Sequence, residues 1–173
     1  MQSPALCGRP VRIEFLPRLT AHRGKLLSGE SKGQEVHAGS FLRERRIVLD
    51  TALLENWDEL NRILVHELFH FAWVRLGNPK RRSYEALLRS EFSAKARGEL
   101  GWSAQWRKDE LMVADFESRS RRWRDYNVES FCDSAACLYS GCKVHAEFTL
   151  ANRWKRRREK WFAGIFEASG VLI

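Results

Sequence analysis

Two histidines and a glutamate in the first half of the chain form the pattern His66-Glu67-Leu68-Phe69-His70. Residues four positions apart in a helix lie on the same face, so the imidazoles of His66 and His70 can share one metal ion. Glu67, next to the first histidine, can reach a water molecule at that metal without taking a coordination position. The H-E-x-x-H spacing is typical of zinc sites that activate a water molecule. Because burying these polar groups in an apolar helix is costly without a metal or other partners, we expect a zinc ion here.

A catalytic zinc ion needs a third protein ligand and an open position for water. A third histidine further along the same helix is excluded, because Trp73 and Leu76 occupy the positions of the glycine and histidine of that extended motif. Glu129 is therefore the expected third ligand, although an acidic residue in the first turn of a helix is an alternative role for it. Asp133, one turn later, is expected to accept a hydrogen bond from a zinc-bound histidine. The other candidates for the third ligand are Asp115, Glu117, Asp133 and His145.

The order of the two motifs resembles the gluzincin group of zinc metallopeptidases, which carry H-E-x-x-H on one helix and E-x-x-x-D on a later one. Here the halves are His66-Glu67-Leu68-Phe69-His70 and Glu129-Ser130-Phe131-Cys132-Asp133. The resemblance covers the motif helices and, more loosely, a preceding small sheet. It implies a zincin-like α+β fold and peptide hydrolysis with Glu67 as general base. Residues 71–128 form a longer connection than in thermolysin, so one or two inserted helices are expected.

Gluzincins usually place a tyrosine or histidine near the metal to stabilise the oxyanion that forms during hydrolysis. Around the second motif this chain offers Tyr126, Tyr139 and His145. We favour His145 as a catalytic residue because an imidazole or imidazolium can donate to the oxyanion. The two tyrosines remain alternatives.

The elements expected before the motif are strands. Residues 11–16 alternate between apolar and polar side chains, which is typical of a strand with one buried face. Further strands are predicted over residues 35–42 and 45–50, and the Gly- and Ser-rich residues 22–33 favour an exposed connection. Residues 11–50 are thus expected to form a small mixed or antiparallel sheet. The segment Arg46–Leu49 is expected to line the cleft and to pair with an extended substrate.

Helices are predicted over residues 57–165. The first spans residues 57–76, where Asn56 and Glu59 resemble a capping box and Gly77 and Pro79 supply a stop. Asn127 is expected to cap the helix that carries Glu129. The other predicted helices cover residues 83–97, part of 106–122, 128 to just before Gly141, and about 145–163. We therefore predict a single domain over residues 1–173.

The composition is that of a folded protein with a strong positive charge. The chain has 44% hydrophobic residues and a net charge of +8. The basic run over residues 153–160 is expected to be the solvated face of an amphipathic helix, with nucleic-acid contact as the alternative. No secretory leader or membrane span is predicted, which favours a cytoplasmic protein without a membrane partner. The four cysteines are expected to be free thiols.

Three functions are compatible with these features. The first is a zinc-dependent peptidase acting on a peptide or protein substrate. The second is a zincin-fold regulatory or nucleic-acid-binding protein with little peptidase activity, for which the positive charge is the motive. The third is zinc-assisted hydrolysis of a non-peptide bond, because a metal and a base alone do not define the bond that is cleaved.

Overall fold

The computed structural model describes residues 4–23, 25–29, 32–167 and 170–173, so the remaining parts of the predicted 1–173 domain lie outside the described residues. The described chain is an α+β protein in which short strands come first and helices follow. The strands are β1 (Leu6–Cys7), β2 (Arg12–Leu16), β3 (Leu19–His22), β4 (Lys25–Ser28), β5 (Gln34–Glu35), β6 (Ala38–Phe41), β7 (Arg46–Asp50) and β8 (Val171–Leu172).

The sheet that supports the motif helix has the order β2-β7-β6. Strand β7 pairs in parallel with β2 and antiparallel with β6. It is central because Ile47, Val48 and Leu49 are all buried and need cover on both faces. The strands predicted over residues 11–16 and 45–50 are confirmed. The single strand expected over residues 35–42 is instead two short strands, β5 and β6.

A second small sheet lies where the sequence indicated an exposed connection. Strands β4, β3 and β5 form an antiparallel sheet, and residues 24, 30 and 31 of the predicted connection are outside the described part. The Asp50 carboxylate joins this sheet to β7, since its Oδ2 accepts from Leu19 N at 2.8 Å. Strands β1 and β8 pair in parallel and bring the two ends of the described chain together.

Among the described residues, six α-helices follow a short 3₁₀ turn at Thr51–Glu55: α1 (Trp57–Arg75), α2 (Asn78–Ser93), α3 (Trp102–Asp109), α4 (Val113–Ser118), α5 (Arg121–Tyr139) and α6 (Asn152–Phe166). The predicted first helix is confirmed as α1. Its cap is also confirmed, because Asn56 Oδ1 accepts from Glu59 N at 3.2 Å.

The expected boundaries of three later helices are wrong. The helix predicted over residues 83–97 is α2, which begins earlier, at Asn78, with Pro79 in its first turn, where a missing N–H costs nothing. Helix α5 begins six residues before Asn127, with Ser120 as its cap, so Asn127 is a buried residue inside the helix. The segment from His145 to Leu150 is not helical, and α6 starts at Asn152.

The core is built on the packing of α1 against α5. Phe69 of α1 lies 5.7 Å from Phe131 of α5 between ring centroids, and Phe162 and Phe166 of α6 close the cluster at 6.2 and 6.0 Å from Phe69. Tyr139 stacks on Phe69 at 5.6 Å. This aromatic layer packs α1 against α5 and fixes the position of one helix relative to the other. It thereby also fixes the motif residues that lie between the two helices.

One arginine of the basic run is not solvated as expected. Arg158 is fully buried and donates to the carboxylates of Glu91 and Glu99, with Arg158 Nη2 2.6 Å from Glu91 Oε2 and Nη1 2.7 Å from Glu99 Oε2. Burial alone would raise the pKa of Glu99, but Arg158 and Lys108 lower it to about 2. The network ties α6 to α2 and to the segment that leads into α3.

Candidate metal centre

The two motif halves meet between α1 and α5. His66 Nε2 and His70 Nε2 are 3.2 Å apart, and Glu129 Oε2 lies 3.3 Å from His66 Nε2. Nitrogen and oxygen ligands lie about 2.0–2.2 Å from zinc at tetrahedral angles, which separates neighbouring ligand atoms by about 3.3–3.6 Å. Both observed separations are close to that range. His66 is thus close enough to His70 and to Glu129 to share an ion with either of them.

The electrostatics of the three groups favour an ionised carboxylate beside the histidines. Burial opposes ionisation of Glu129, but its hydrogen bond with His66 and the charges of His70 and Arg107 lower its pKa to about 2. Burial also acts on both histidines. It lowers the pKa of His70, whereas at His66 the carboxylates of Asp133 and Glu129 outweigh burial and raise the pKa well above its ordinary value.

Asp133 contacts the nitrogen of the His66 ring that does not face His70 and Glu129. Its Oδ1 lies 2.7 Å from His66 Nδ1, which leaves His66 Nε2 facing His70 and Glu129. The other carboxylate oxygen accepts from Ala104 N at 2.8 Å, so Asp133 also takes up a free N–H at the start of α3. This arrangement suits the orienting role expected for Asp133, because a second hydrogen bond fixes the carboxylate that fixes the imidazole.

The contact between Asp133 and the start of α3 requires a glycine at position 101. The sequence alone did not identify this role of Gly101. A Cβ on Gly101 would lie 2.2 Å from Asp133 Cγ, so only glycine allows the start of α3 to approach the carboxylate. The segment before it is anchored by Glu99, whose carbonyl accepts from Thr149 N at 2.8 Å and whose carboxylate binds Arg158. The signal in the sequence is only a glycine before a predicted helix, which does not identify its partner.

Glu67 faces a cleft of about 390 Å³. Its Oε2 accepts from Ser40 Oγ at 2.5 Å, and Ser40 also donates to the carbonyl of Glu67 at 3.1 Å. Ser40 belongs to β6, so the edge of the sheet positions the expected general base. One side of the cleft is formed by residues 34–38, and the other by Arg62 and His66 of α1 together with Trp102 and Ser103 of α3.

Cys132 is an additional group that sequence reasoning did not include in the site. The donor atoms of His66, His70 and Cys132 all lie within 4.8 Å of one another. Cys132 is fully buried on α5, one turn after Glu129. Burial and the nearby carboxylates of Glu129 and Asp133 raise the pKa of its thiol well above the ordinary value. The other cysteines are free thiols as well, with Cys7 exposed and Cys137 and Cys142 buried.

The structure does not bring the expected oxyanion stabilisers to the ligands. His145 Nε2 lies 3.2 Å from Glu59 Oε2, and Glu59 precedes His66 by two turns, about 10 Å along the helix axis. Tyr126 is buried and donates to Glu99 Oε1 at 2.6 Å, and Tyr139 belongs to the aromatic core. An imidazole at position 145 could donate to an oxyanion, which is why His145 is the favoured candidate, but the loop after α5 carries it to the start of α1.

Two of the other candidates for the third ligand, Asp115 and Glu117, lie away from the histidine pair. Asp115 accepts from Met112 N at 3.0 Å and from Ser120 Oγ at 2.6 Å, where it shapes the turn between α4 and α5. Glu117 is exposed on α4. Within the described part of the chain, the side chains that the structure gathers at the histidine pair are therefore Glu129, Cys132 and Asp133, all from α5.

No protein-family model, curated protein or solved structure matches this chain. Across the described residues, the helices fall short of the length and apolar character needed to cross a bilayer. A function for this chain therefore has to be inferred from the geometry of the site.

Proposed function

We propose that this protein is a zinc-dependent peptidase whose metal is held by His66, His70 and Glu129. The observation that carries the proposal is the joint geometry of the two motifs. The Nε2 atom of His66 lies 3.2 Å from that of His70 and 3.3 Å from a carboxylate oxygen of Glu129, although these residues come from helices far apart in sequence. Asp133 orients the first of these ligands, as outer-shell carboxylates do in zinc sites.

When bound, the zinc ion supplies the Lewis acidity that polarises a carbonyl and lowers the pKa of a water molecule toward neutrality. Glu67 then removes a proton from the attacking water and transfers it to the departing amine, acting first as base and then as acid. The hydrogen bond from Ser40 holds the Glu67 carboxylate in place, with its Oε2 2.5 Å from the serine oxygen.

The substrate is expected to bind as an added strand along β6 rather than along β7. The segment Arg46–Leu49, which the sequence favoured for this role, is paired on both sides by β2 and β6 and has no free edge. Strand β6 pairs with β7 alone among the described strands, so its outer edge offers backbone groups to an extended peptide. Ser40 lies on this strand, which brings such a peptide close to Glu67.

An exposed aromatic pair indicates an apolar side chain in the substrate. Trp102 lines the cleft and is 54% exposed, and its ring stacks on Trp106 at a centroid distance of 5.9 Å. Large exposed tryptophans at a cleft are costly to hydrate and favour contact with apolar groups. We therefore expect peptides with a large apolar residue near the scissile bond to be preferred.

Glu67→Gln is the test of the proposed activity. The variant keeps the size of the side chain and removes its basicity, so it should bind about one zinc ion per chain while hydrolysing a fluorogenic peptide library at least about 100-fold more slowly. Glu117→Gln changes the same group at an exposed position and should leave both properties unchanged. A Glu67→Gln variant that hydrolyses peptides at the unsubstituted rate would contradict the proposal.

A zincin-fold protein that binds nucleic acid without hydrolysing peptides is the second function that the charge suggests. Such a protein would retain zinc but show no peptidase activity with any peptide in the library. It would also shift a DNA or RNA probe in gels at low salt, with affinity that falls steeply as salt is raised. Peptidase activity that depends on Glu67 excludes this alternative as the main function.

A further inference from the structure

A second cavity, of about 360 Å³, shares no lining residue with the cleft. It lies where the end of α1, the start of α2 and the first half of α5 come together. Its charged lining consists of four arginines and one glutamate, Arg81, Arg82, Arg119, Arg124 and Glu85. We propose that this cavity, here called the arginine pocket, binds the phosphate group of a small phosphorylated molecule.

Most of the positive charge in the arginine pocket is not neutralised by its lining. Arg119 donates to both oxygens of Glu85 at 2.7 Å, so these two charges offset each other. Arg81 donates to the carbonyls of Trp73 and Val74 at the end of α1, which fixes the guanidinium without neutralising it. Arg82 and Arg124 have no carboxylate partner among the described residues.

The start of α2 adds to the positive potential of the arginine pocket. Asn78 lines the pocket and is the first residue of the 16-residue helix α2, which has no side-chain cap and no acidic residue in its first turn. Cations near a helix N-terminus oppose the helix dipole, so Arg81 and Arg82 weaken this helix unless an anion lies beside them. A phosphate group at this place would be attracted by the free N–H groups and the guanidinium groups together.

Asn127 provides an independent sign of a ligand. Its side chain lines the arginine pocket and is only 4% exposed. Its Nδ2 donates to Trp123 O at 2.5 Å, whereas its Oδ1 is buried and has no hydrogen-bond partner in the described structure. An unpaired buried acceptor is destabilising, so a ligand that donates a hydrogen bond to it would recover that cost.

The two features together define the ligand chemistry. Guanidinium groups bind the phosphate oxygens, and the Asn127 carbonyl accepts from a hydroxyl group next to them, either on the phosphorus or on an attached sugar. Sulfate, which carries no proton near neutral pH, can satisfy the arginines but not Asn127. The volume is at the lower end of the range of about 300–1,000 Å³ for small-molecule pockets, which suits a compact phosphorylated metabolite rather than a polymer.

Isothermal titration with inorganic phosphate and with sulfate at low salt tests the proposal. We expect phosphate to bind more tightly than sulfate, and the double variant Arg82→Ala/Arg124→Ala to weaken phosphate binding at least tenfold. Arg156→Ala/Lys160→Ala removes two charges that are likewise exposed, but lie on α6 outside the pocket, and should change Kd by less than twofold. Asn127→Leu should abolish the preference for phosphate over sulfate while leaving sulfate affinity unchanged.

Three results would overturn the assignment. Phosphate binding that is unchanged in Arg82→Ala/Arg124→Ala would show that the pocket is not the site. An equal loss in the α6 double variant would show attraction to overall charge alone. Binding of a single-stranded oligonucleotide without terminal phosphates, dependent on Arg82 and Arg124 and not displaced by inorganic phosphate, would assign the surface to nucleic acid instead.

Discussion

Replacing Gly101 by alanine tests whether Asp133 positions the proposed metal ligand His66. Gly101 has φ 177°, an extended conformation open to any residue, so the effect of the change must come from contact rather than from backbone strain. The added Cβ would lie 2.2 Å from Asp133 Cγ and 2.4 Å from each carboxylate oxygen. Non-bonded carbon atoms need about 3.5–4.0 Å, so the carboxylate must move by about 1 Å or more.

That displacement breaks two short contacts. Asp133 would lose its 2.7 Å contact with His66 Nδ1 and its 2.8 Å hydrogen bond from Ala104 N. Loss of an outer-shell partner of a zinc-bound histidine weakens metal binding about 10–100-fold, so the zinc Kd of Gly101→Ala should rise by that factor. Overpacking should lower the free energy of unfolding by about 1–3 kcal/mol.

Zinc affinity is measured by competition with a chromophoric chelator, and stability by urea unfolding. Gly164→Ala is the matched control, because an added Cβ there meets no atom within 4 Å on α6. It should leave zinc affinity unchanged and raise stability by up to about 1 kcal/mol. If Gly101→Ala binds zinc as tightly as Gly164→Ala, Asp133 does not position His66 and the reasoning fails.

Two further predictions concern the buried ion network and the Cys132 thiol beside the proposed metal site. Glu99→Gln should lower the free energy of unfolding at pH 7 by about 3 kcal/mol, since the Glu99 pKa falls from 4.5 to about 2 in the folded protein. A carboxyl group whose pKa is lowered on folding stabilises the folded protein fully only at pH values where the unfolded chain is also ionised. The loss of unfolding free energy in Glu99→Gln should therefore shrink below about pH 4.5 and vanish near pH 2. If urea unfolding gives a loss of the same size at pH 7 and pH 3, the assignment is refuted. Cobalt-substituted protein should show no intense near-ultraviolet thiolate band, and Cys132→Ser should still bind one cobalt ion. A strong band that disappears in Cys132→Ser would place the sulfur of Cys132 in the ligand set.

The parts of the site that depend on local spacing could be predicted from the sequence. Helix α1, its Asn56 cap and the common face of His66 and His70 follow from a period of 3.6 residues and a capping side chain. The placement of Glu129 and Asp133 on one face of a later helix has the same origin. These features depend mainly on neighbours within about one turn, which is why the sequence alone predicts them.

The contacts that complete the site come from remote segments and could not be predicted. Ser40 reaches Glu67 from a strand, and Gly101 reaches Asp133 from the start of α3. Arg158 was expected in solvent because it lies in a basic run, yet carboxylates from two distant segments make its burial favourable. A pattern of charges along one helix does not show which of them will meet a buried partner.

The start of α5 illustrates a different difficulty. Both Ser120 and Asn127 are good cap residues, and the arginines between them have no apolar period that identifies a helix. Trp123 decides the boundary, because its indole is fully buried and donates to Glu85 Oε1 at 3.0 Å. The helix therefore extends back to Ser120, and Asn127 is carried into the interior next to the arginine pocket.

Anomalous X-ray scattering at the zinc edge, from crystals grown with zinc, tests the central claim most directly. The proposed site requires one peak about 2.0–2.2 Å from His66 Nε2, His70 Nε2 and a carboxylate oxygen of Glu129. The peak should be lost in His70→Ala. Absence of a peak between these three side chains, or a peak that persists in His70→Ala, would contradict the assignment of the metal centre.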